Sequence, residues 1–203
     1  MMGWSVEALD VFAYTFATVF LAELGDKTQL AILSLSLRGR RAPVLLGAFL
    51  AFSLVNGVSS AIGHLFHVLF PLRAIRLGSA TAFIIVGLVG LAMTLLRRRG
   101  AGDTGPEEAA EGLSKTTFMK SFALICLAEL GDKTQLATLG FSALTGLSLV
   151  VAISAISALM AMTVLTVLLG AELAKRLHER SAEVLAYAVF VAVGVFMLAW
   201  PGE

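Results

Sequence analysis

The chain reads as an all-α integral membrane protein whose six transmembrane helices form two inverted three-helix repeats. Three observations predict this. The 203 residues are 58% hydrophobic and only 14% charged, with a mean hydropathy of +0.91, a composition foreign to soluble domains. Six apolar segments are each long enough to cross ~30 Å of hydrocarbon, which takes ~20 helical residues. One stretch, Leu-Ala-Glu-Leu-Gly-Asp-Lys-Thr-Gln-Leu-Ala, occurs twice without change, at residues 21–31 and 127–137.

The first segment, Val11 to Leu37, holds the first copy of that motif. No basic residue precedes it, so it reads as a retained helix and not as a cleaved signal peptide. Val44 to Phe66 and Leu77 to Leu96 follow. The fourth, Thr117 to Leu144, holds the second copy, and Leu147 to Leu173 and Val184 to Trp200 complete the set. Segments one and four are longer than a perpendicular crossing needs, and each has a glycine, Gly25 or Gly131, inside its motif. Tilt would take up the excess, and so would local unwinding at the glycine, which membranes tolerate where the backbone faces a polar cavity.

Basic residues are divided unequally among the loops. Arg38, Arg40, Arg41, Arg97, Arg98, Arg99, Lys115, Lys120, Lys175, Arg176 and Arg180 fall on one side, and Arg73 and Arg76 alone on the other. Positive charge is retained in the cytoplasm, so the first group is expected inside and both termini outside, with Trp4 and Trp200 at the outer interface. The 106-residue offset between motifs also aligns Phe12 with Phe118, Phe16 with Phe122 and Ser36 with Ser142. Residues 1–96 then form the first repeat, 97–116 a cytoplasmic linker and 117–203 the second repeat. An odd number of crossings per repeat reverses the second copy, the architecture usual in secondary transporters. Glu107, Glu108 and Glu111 make the linker acidic, the composition of a solvated loop.

A charge at the centre of a membrane helix costs ~2.5–3.5 kcal/mol on insertion scales, and such residues mark ion pathways or partners in the bundle interior. Each motif carries three: Glu23, Asp26 and Lys27, then Glu129, Asp132 and Lys133. A continuous helix, at about 100° per residue, places Glu23, Asp26, Lys27 and Leu30 on one arc, with Gln29 at its edge and Thr28 on the far side. Four carboxylates and two ammonium groups sum to two negative charges, which one divalent cation or two protons would cancel. Carboxylate, amide and hydroxyl oxygens suit calcium, magnesium and manganese. Zinc or copper would call for histidine or cysteine, and neither occurs in the motifs. A net charge of +1 argues against nucleic acid as a partner.

With those residues in place, the chain resembles a known family. Glu, a hydrophobic residue, Gly, Asp, Lys or Arg, Thr or Ser, once in each of two three-helix halves, is similar to the membrane cation/proton exchangers that include Golgi calcium and manganese transporters, chloroplast manganese transporters and bacterial manganese exporters. Glu23 to Thr28 and Glu129 to Thr134 match that signature without departure, and the likeness covers almost the whole chain. It implies six helices in inverted repeats and export of manganese or calcium from the cytoplasm in exchange for protons. Glu23, Asp26, Glu129 and Asp132 become the expected cation ligands. Lys27, Thr28, Gln29, Lys133, Thr134 and Gln135 become supporting residues. The cation is then cargo, no cofactor is expected, and the expected location is a bacterial plasma (inner) membrane.

Other readings compete at particular residues. The motif charges could be Glu–Lys pairs at i, i+4 that only join helices, although buried ion pairs stabilise poorly compared with apolar packing. Lys27 and Lys133 either replace the absent metal or simply balance charge. Thr28 and Thr134 either bond their own helix or touch the cation. Ser53 in helix two and Ser157 in helix five line the pathway or pack, and Asn56 has no polar counterpart in the repeat. His64 and His67 are expected at the outer end of helix two and His178 in a cytoplasmic loop. An intramembrane aspartyl hydrolase would also pair aspartates, but here every Asp comes with a Glu and a Lys, and no Gly-x-Gly-Asp occurs. A passive cation channel could use acidic rings too; two motif-bearing halves favour alternating access.

Overall fold

The computed structural model describes residues 8–24, 26–38, 41–96, 117–176 and 179–199. Trp4, Gly25, the 97–116 segment, His178 and Trp200 lie outside the described residues, as do the side chains of Lys27 and Leu30 and most of the basic loop residues. All regular structure among the described residues is helical. The helices are α1 (Ala8–Glu23), α2 (Lys27–Arg38), α3 (Arg41–Leu69), α4 (Leu72–Leu96), α5 (Thr117–Glu129), α6 (Lys133–Thr145), α7 (Ser148–Arg176) and α8 (Glu179–Ala199). Among the described residues three are long and apolar enough to cross a membrane: α3, α4 and the Ser148–Leu168 part of α7. Within α8, Glu183–Ala199 forms a shorter apolar helix.

The first and fourth sequence segments are each divided into two short helices, and the division falls inside the repeated motif. Gly131 has φ +82°, in the left-handed region that favours glycine. Asp132 follows in an extended conformation with φ −78° and ψ 166°. In both copies the aspartate N–H turns back onto the motif glutamate, Asp26 onto the Glu23 carbonyl and Asp132 onto that of Glu129, each at 3.2 Å. Both copies thus interrupt their helix between the glutamate and the lysine. The single helical arc expected for Glu23, Asp26, Lys27 and Leu30 is therefore replaced by a break, with Glu23 ending one helix and Lys27 beginning the next. In the second copy the physical reason is on view: left-handed Gly131 followed by extended Asp132 ends the regular hydrogen-bond ladder.

Hydrogen bonds between helices set their directions. Asn56, Ser60 and His64 of α3 bond Thr138, Ser142 and Gly146 at a constant separation of 82 residues, so α3 and α6 run parallel. Ser154 of α7 donates to the Phe12 carbonyl at 2.6 Å and Thr166 to Gln29 at 2.9 Å, so α7 runs parallel with α1 and α2. Gly146, at φ +69°, caps α6 by donating to the Ser142 carbonyl at 2.9 Å and turns the chain into α7. Most packing joins the two halves: α3 lies on α5, α6 and α7, α7 on α1 and α2, and α4 on α8. Gly87 and Gly194 let α4 and α8 approach closely, since a Cβ at Gly87 would come 2.9 Å from the Tyr187 carbonyl oxygen and one at Gly194 2.8 Å from that of Ala80.

The exterior is unusually apolar, and the core admits many polar side chains. Leu46, Leu50, Leu54, Leu65, Leu88 and Met93 are exposed, while Thr15, Asn56, Ser59, Ser121, Thr138 and Ser154 are buried. An apolar exterior of this extent fits a hydrocarbon solvent. The interior holds an apolar core around Phe52, Phe83 and Phe190 together with these buried polar groups, of which Asn56, Ser59, Ser121, Thr138 and Ser154 bond one another or a helix backbone.

Candidate functional site

The two motif breaks meet in the bundle interior. Glu23, at the last turn of α1, and Glu129, at the last turn of α5, are both fully buried. Asp26 and Asp132 occupy the breaks and are partly buried. Glu23, Asp26 and Asp132 each present a carboxylate oxygen within 4.8 Å of the others, so both motifs contribute to one cluster. Neither Glu23 oxygen has a hydrogen-bond partner among the described residues. Three convergent carboxylates are hard oxygen donors of the sort that calcium, magnesium and manganese prefer.

Glu129 stands apart from that three-residue group. Its Oε2 accepts the Thr134 hydroxyl at 2.8 Å, and its Oε1 is buried without a partner. Thr134 therefore neither caps its own backbone nor stands free, but braces the motif glutamate. Lys133 is hydrogen-bonded to Asp26 of the other motif, and its ammonium lies 3.9 Å from Asp132. Its ion pairs are thus with aspartates, one across the repeat, in place of the i, i+4 glutamate considered above. A buried ammonium among crowded carboxylates offsets part of their mutual repulsion.

The remaining sequence candidates divide. Thr28 and Gln29 are buried, and Gln29 Oε1 accepts the Thr166 hydroxyl. Gln135 is half-buried, and its Oε1 accepts the Gly131 N–H at 2.6 Å, bracing the second break. Ser53 and Ser157 are only half-buried. His64 and His67 donate from Nδ1 to the carbonyls of Gly146 and Ala143 at 3.1 and 2.7 Å, so they cap the end of α6.

A buried polar ladder between α3 and α6 escaped the sequence reading. Thr138 donates to Asn56 Oδ1 at 2.8 Å, Ser60 and Ser142 exchange bonds, and Ser60 also reaches the Ser148 carbonyl at 2.5 Å. The signal was present as hydroxyls four residues apart at Thr134, Thr138 and Ser142, facing Asn56 and Ser60 at the same spacing. Asn56 taken alone concealed it, because its partner lies on another segment.

Comparison with known proteins identifies a family. The family model described as "Divalent cation/proton antiporter GDT1" matches residues 11–97 and 117–201. "Protein PAM71, chloroplastic" of Arabidopsis thaliana is 28% identical over 153 residues, 65% of this chain and 41% of that protein. "GDT1-like protein 3" of the same plant is 24% identical over 213 residues, 95% of this chain and 71% of its own length. A Vibrio cholerae protein named "Putative manganese exporter" is 30% identical over 147 residues, 70% of this chain and 68% of its own length. The chain spans less than half the length of the chloroplast relatives from Arabidopsis and rice that head this comparison. No solved structure matches.

Proposed function

The chain belongs to the GDT1 family of divalent cation/proton antiporters, matched over both halves, and on that premise we propose that it exports manganese or calcium from the cytoplasm in exchange for protons. The observation that carries this reading is the approach of Glu23 and Asp26 from one motif to Asp132 from the other, within 4.8 Å. A site divided between two halves changes its exposure when one half rocks against the other, which is how alternating access works around a fixed site. Glu129, braced by Thr134, supplies a fourth carboxylate to the same interior. The printed name of the Vibrio cholerae relative supports manganese, and the oxygen donors suit manganese and calcium alike. The cation is cargo in this cycle, and no resident cofactor takes part.

Lys133 fits the role of an internal cation. Its ammonium occupies Asp26, where an arriving divalent ion would displace it. With Lys27 and Lys133 charged, the four carboxylates retain two negative charges, too costly to carry uncompensated through a closed intermediate; one divalent cation or two protons cancel them.

Six crossings complete the proposal: α1 with α2, α3, α4, α5 with α6, α7, and α8. The parallel pairs α3 with α6 and α7 with α2 exchange under the 106-residue offset, which supports an inverted relation between residues 1–96 and 117–203. The positive-inside rule supports a cytoplasmic 97–116 linker and both termini outside a bacterial plasma membrane.

Purified protein in liposomes tests the function, with manganese, calcium and magnesium compared under opposed pH and voltage gradients. Metal flux is expected to accelerate towards the acidic side and to be electroneutral if two protons exchange per cation. Flux that follows voltage alone and ignores pH would leave a passive channel as the better reading.

A further inference from the structure

The two motifs are identical in sequence, yet their glutamines have different partners. Gln135 turns back on its own break and accepts the Gly131 N–H at 2.6 Å. Gln29 lies one turn beyond Asp26, whose carbonyl accepts its backbone N–H at 3.1 Å. The Gln29 side chain is only 5% exposed. Its Oε1 accepts the Thr166 hydroxyl at 2.9 Å, and its Nε2 is buried without a partner. The facing helix accounts for the difference. The residue 106 positions before Thr166 is Ser60, whose hydroxyl is committed to the Ser148 carbonyl and to Ser142 and so is not available to Gln135.

We propose that Gln29 is the neutral ligand that sets which divalent cation the carboxylate cluster accepts, that Thr166 is its positioning residue, and that Gln135 only braces the second break. This rests on the reading of Glu23, Asp26 and Asp132 as the cation site. A primary amide has an acceptor end and a donor end, and a hydroxyl both donates and accepts. Thr166 therefore satisfies Gln29 in either orientation. In the one observed, the Nε2–H₂ end has no partner, and neither Glu23 oxygen has one among the described residues. Turned over, Nε2 donates to Thr166 and Oε1 is released as a hard oxygen ligand for a metal. Calcium takes 6–8 oxygen ligands, a number that three carboxylates reach only if each binds through both oxygens, so a neutral oxygen matters most for it.

The test is cation flux in liposomes by the wild type, Gln29→Ala, Gln135→Ala, Thr166→Val and Thr166→Ser, with manganese and calcium in separate arms. Gln29→Ala and Thr166→Val are expected to raise KM by about 10- to 100-fold, the usual effect of losing a group that orients or supplements metal ligands, and more for calcium than for manganese. Maximal rates stay near the wild-type value. Thr166→Ser restores the wild-type KM and ion preference, and Gln135→Ala changes the maximal rate or the melting temperature but not KM. If Gln29→Ala does not fold, the contrast between Thr166→Val and Thr166→Ser decides the matter. An unchanged KM for both ions in Thr166→Val, or an equal shift in Gln29→Ala and Gln135→Ala, overturns the inference. A wild-type protein that transports neither ion overturns the underlying functional reading instead.

Discussion

Lys133 of the second motif is hydrogen-bonded to Asp26 of the first, so the two copies of one sequence are joined by a charge pair between non-equivalent positions. The pair ties the start of α6 to the break between α1 and α2. It also brings a buried ammonium to the cluster of Glu23, Asp26 and Asp132 carboxylates.

Breaking this pair from one side should be costly. Lys133→Met removes the ammonium that Asp26 and Asp132 share and is expected to destabilise by less than the roughly 3–5 kcal/mol of breaking a fully buried pair, because both aspartates are partly exposed. Adding Asp26→Asn should recover part of that loss. Thermal unfolding in detergent of both single variants and the double variant measures the coupling, and simple additivity would argue against a direct interaction.

Removing a motif glutamate should end transport without preventing insertion. Glu23→Gln and Glu129→Gln each make an apolar segment easier to insert while taking away a hard ligand. Both are expected to reach the membrane in normal amount and to carry metal near the background rate. Normal flux from either variant, equally well expressed, would count against a site shared by the two motifs.

The break at Gly131 depends on its backbone and not on space. A Cβ there meets nothing within 4 Å, but the φ of +82° strains any other residue. Gly131→Ala is expected to destabilise by about 1–2 kcal/mol, the cost of left-handed geometry with a Cβ. Gly57 in α3 also has nothing within 4 Å and no positive φ, so Gly57→Ala should be neutral or mildly stabilising, as alanine is in a helix. Melting temperatures compare the two, and equal losses would show that the positive φ is not the cause.

Orientation is open to labelling. In a Cys126→Ser background, a cysteine at Ser181 should react with impermeant reagents only from the cytoplasmic side. One at Phe70, in the turn between α3 and α4 and 53% exposed, should react only from the opposite side. Labelling of both from one side would contradict the orientation drawn from the basic loops.

Membrane class, the duplicated motif and the family signature were all legible in the linear chain, because they depend on hydropathy and on residue types at short spacing. The interrupted helices were half legible: Gly131 beside Asp132 marked where a ladder could fail, but excess length alone did not distinguish tilt from a break. Ser53 and Ser157 drew attention as repeat counterparts and are only half-buried, whereas Ser60 and Thr138 lie in a buried network.

Local order therefore follows from the sequence: in both copies of the motif a helix ends at the glutamate and the aspartate N–H turns back onto that glutamate's carbonyl. Partner choice does not. Gln29 meets Thr166 and Gln135 meets Gly131, and Lys133 reaches Asp26, though the two motifs are identical letter for letter. The bonds to Thr166 and Asp26 link segments more than 100 residues apart, whose register is set by how whole helices cross. No spacing within one segment encodes that register, because the hydrogen-bonding capacity of a side chain is a property of its residue type while the group that satisfies it belongs to the helix packed opposite.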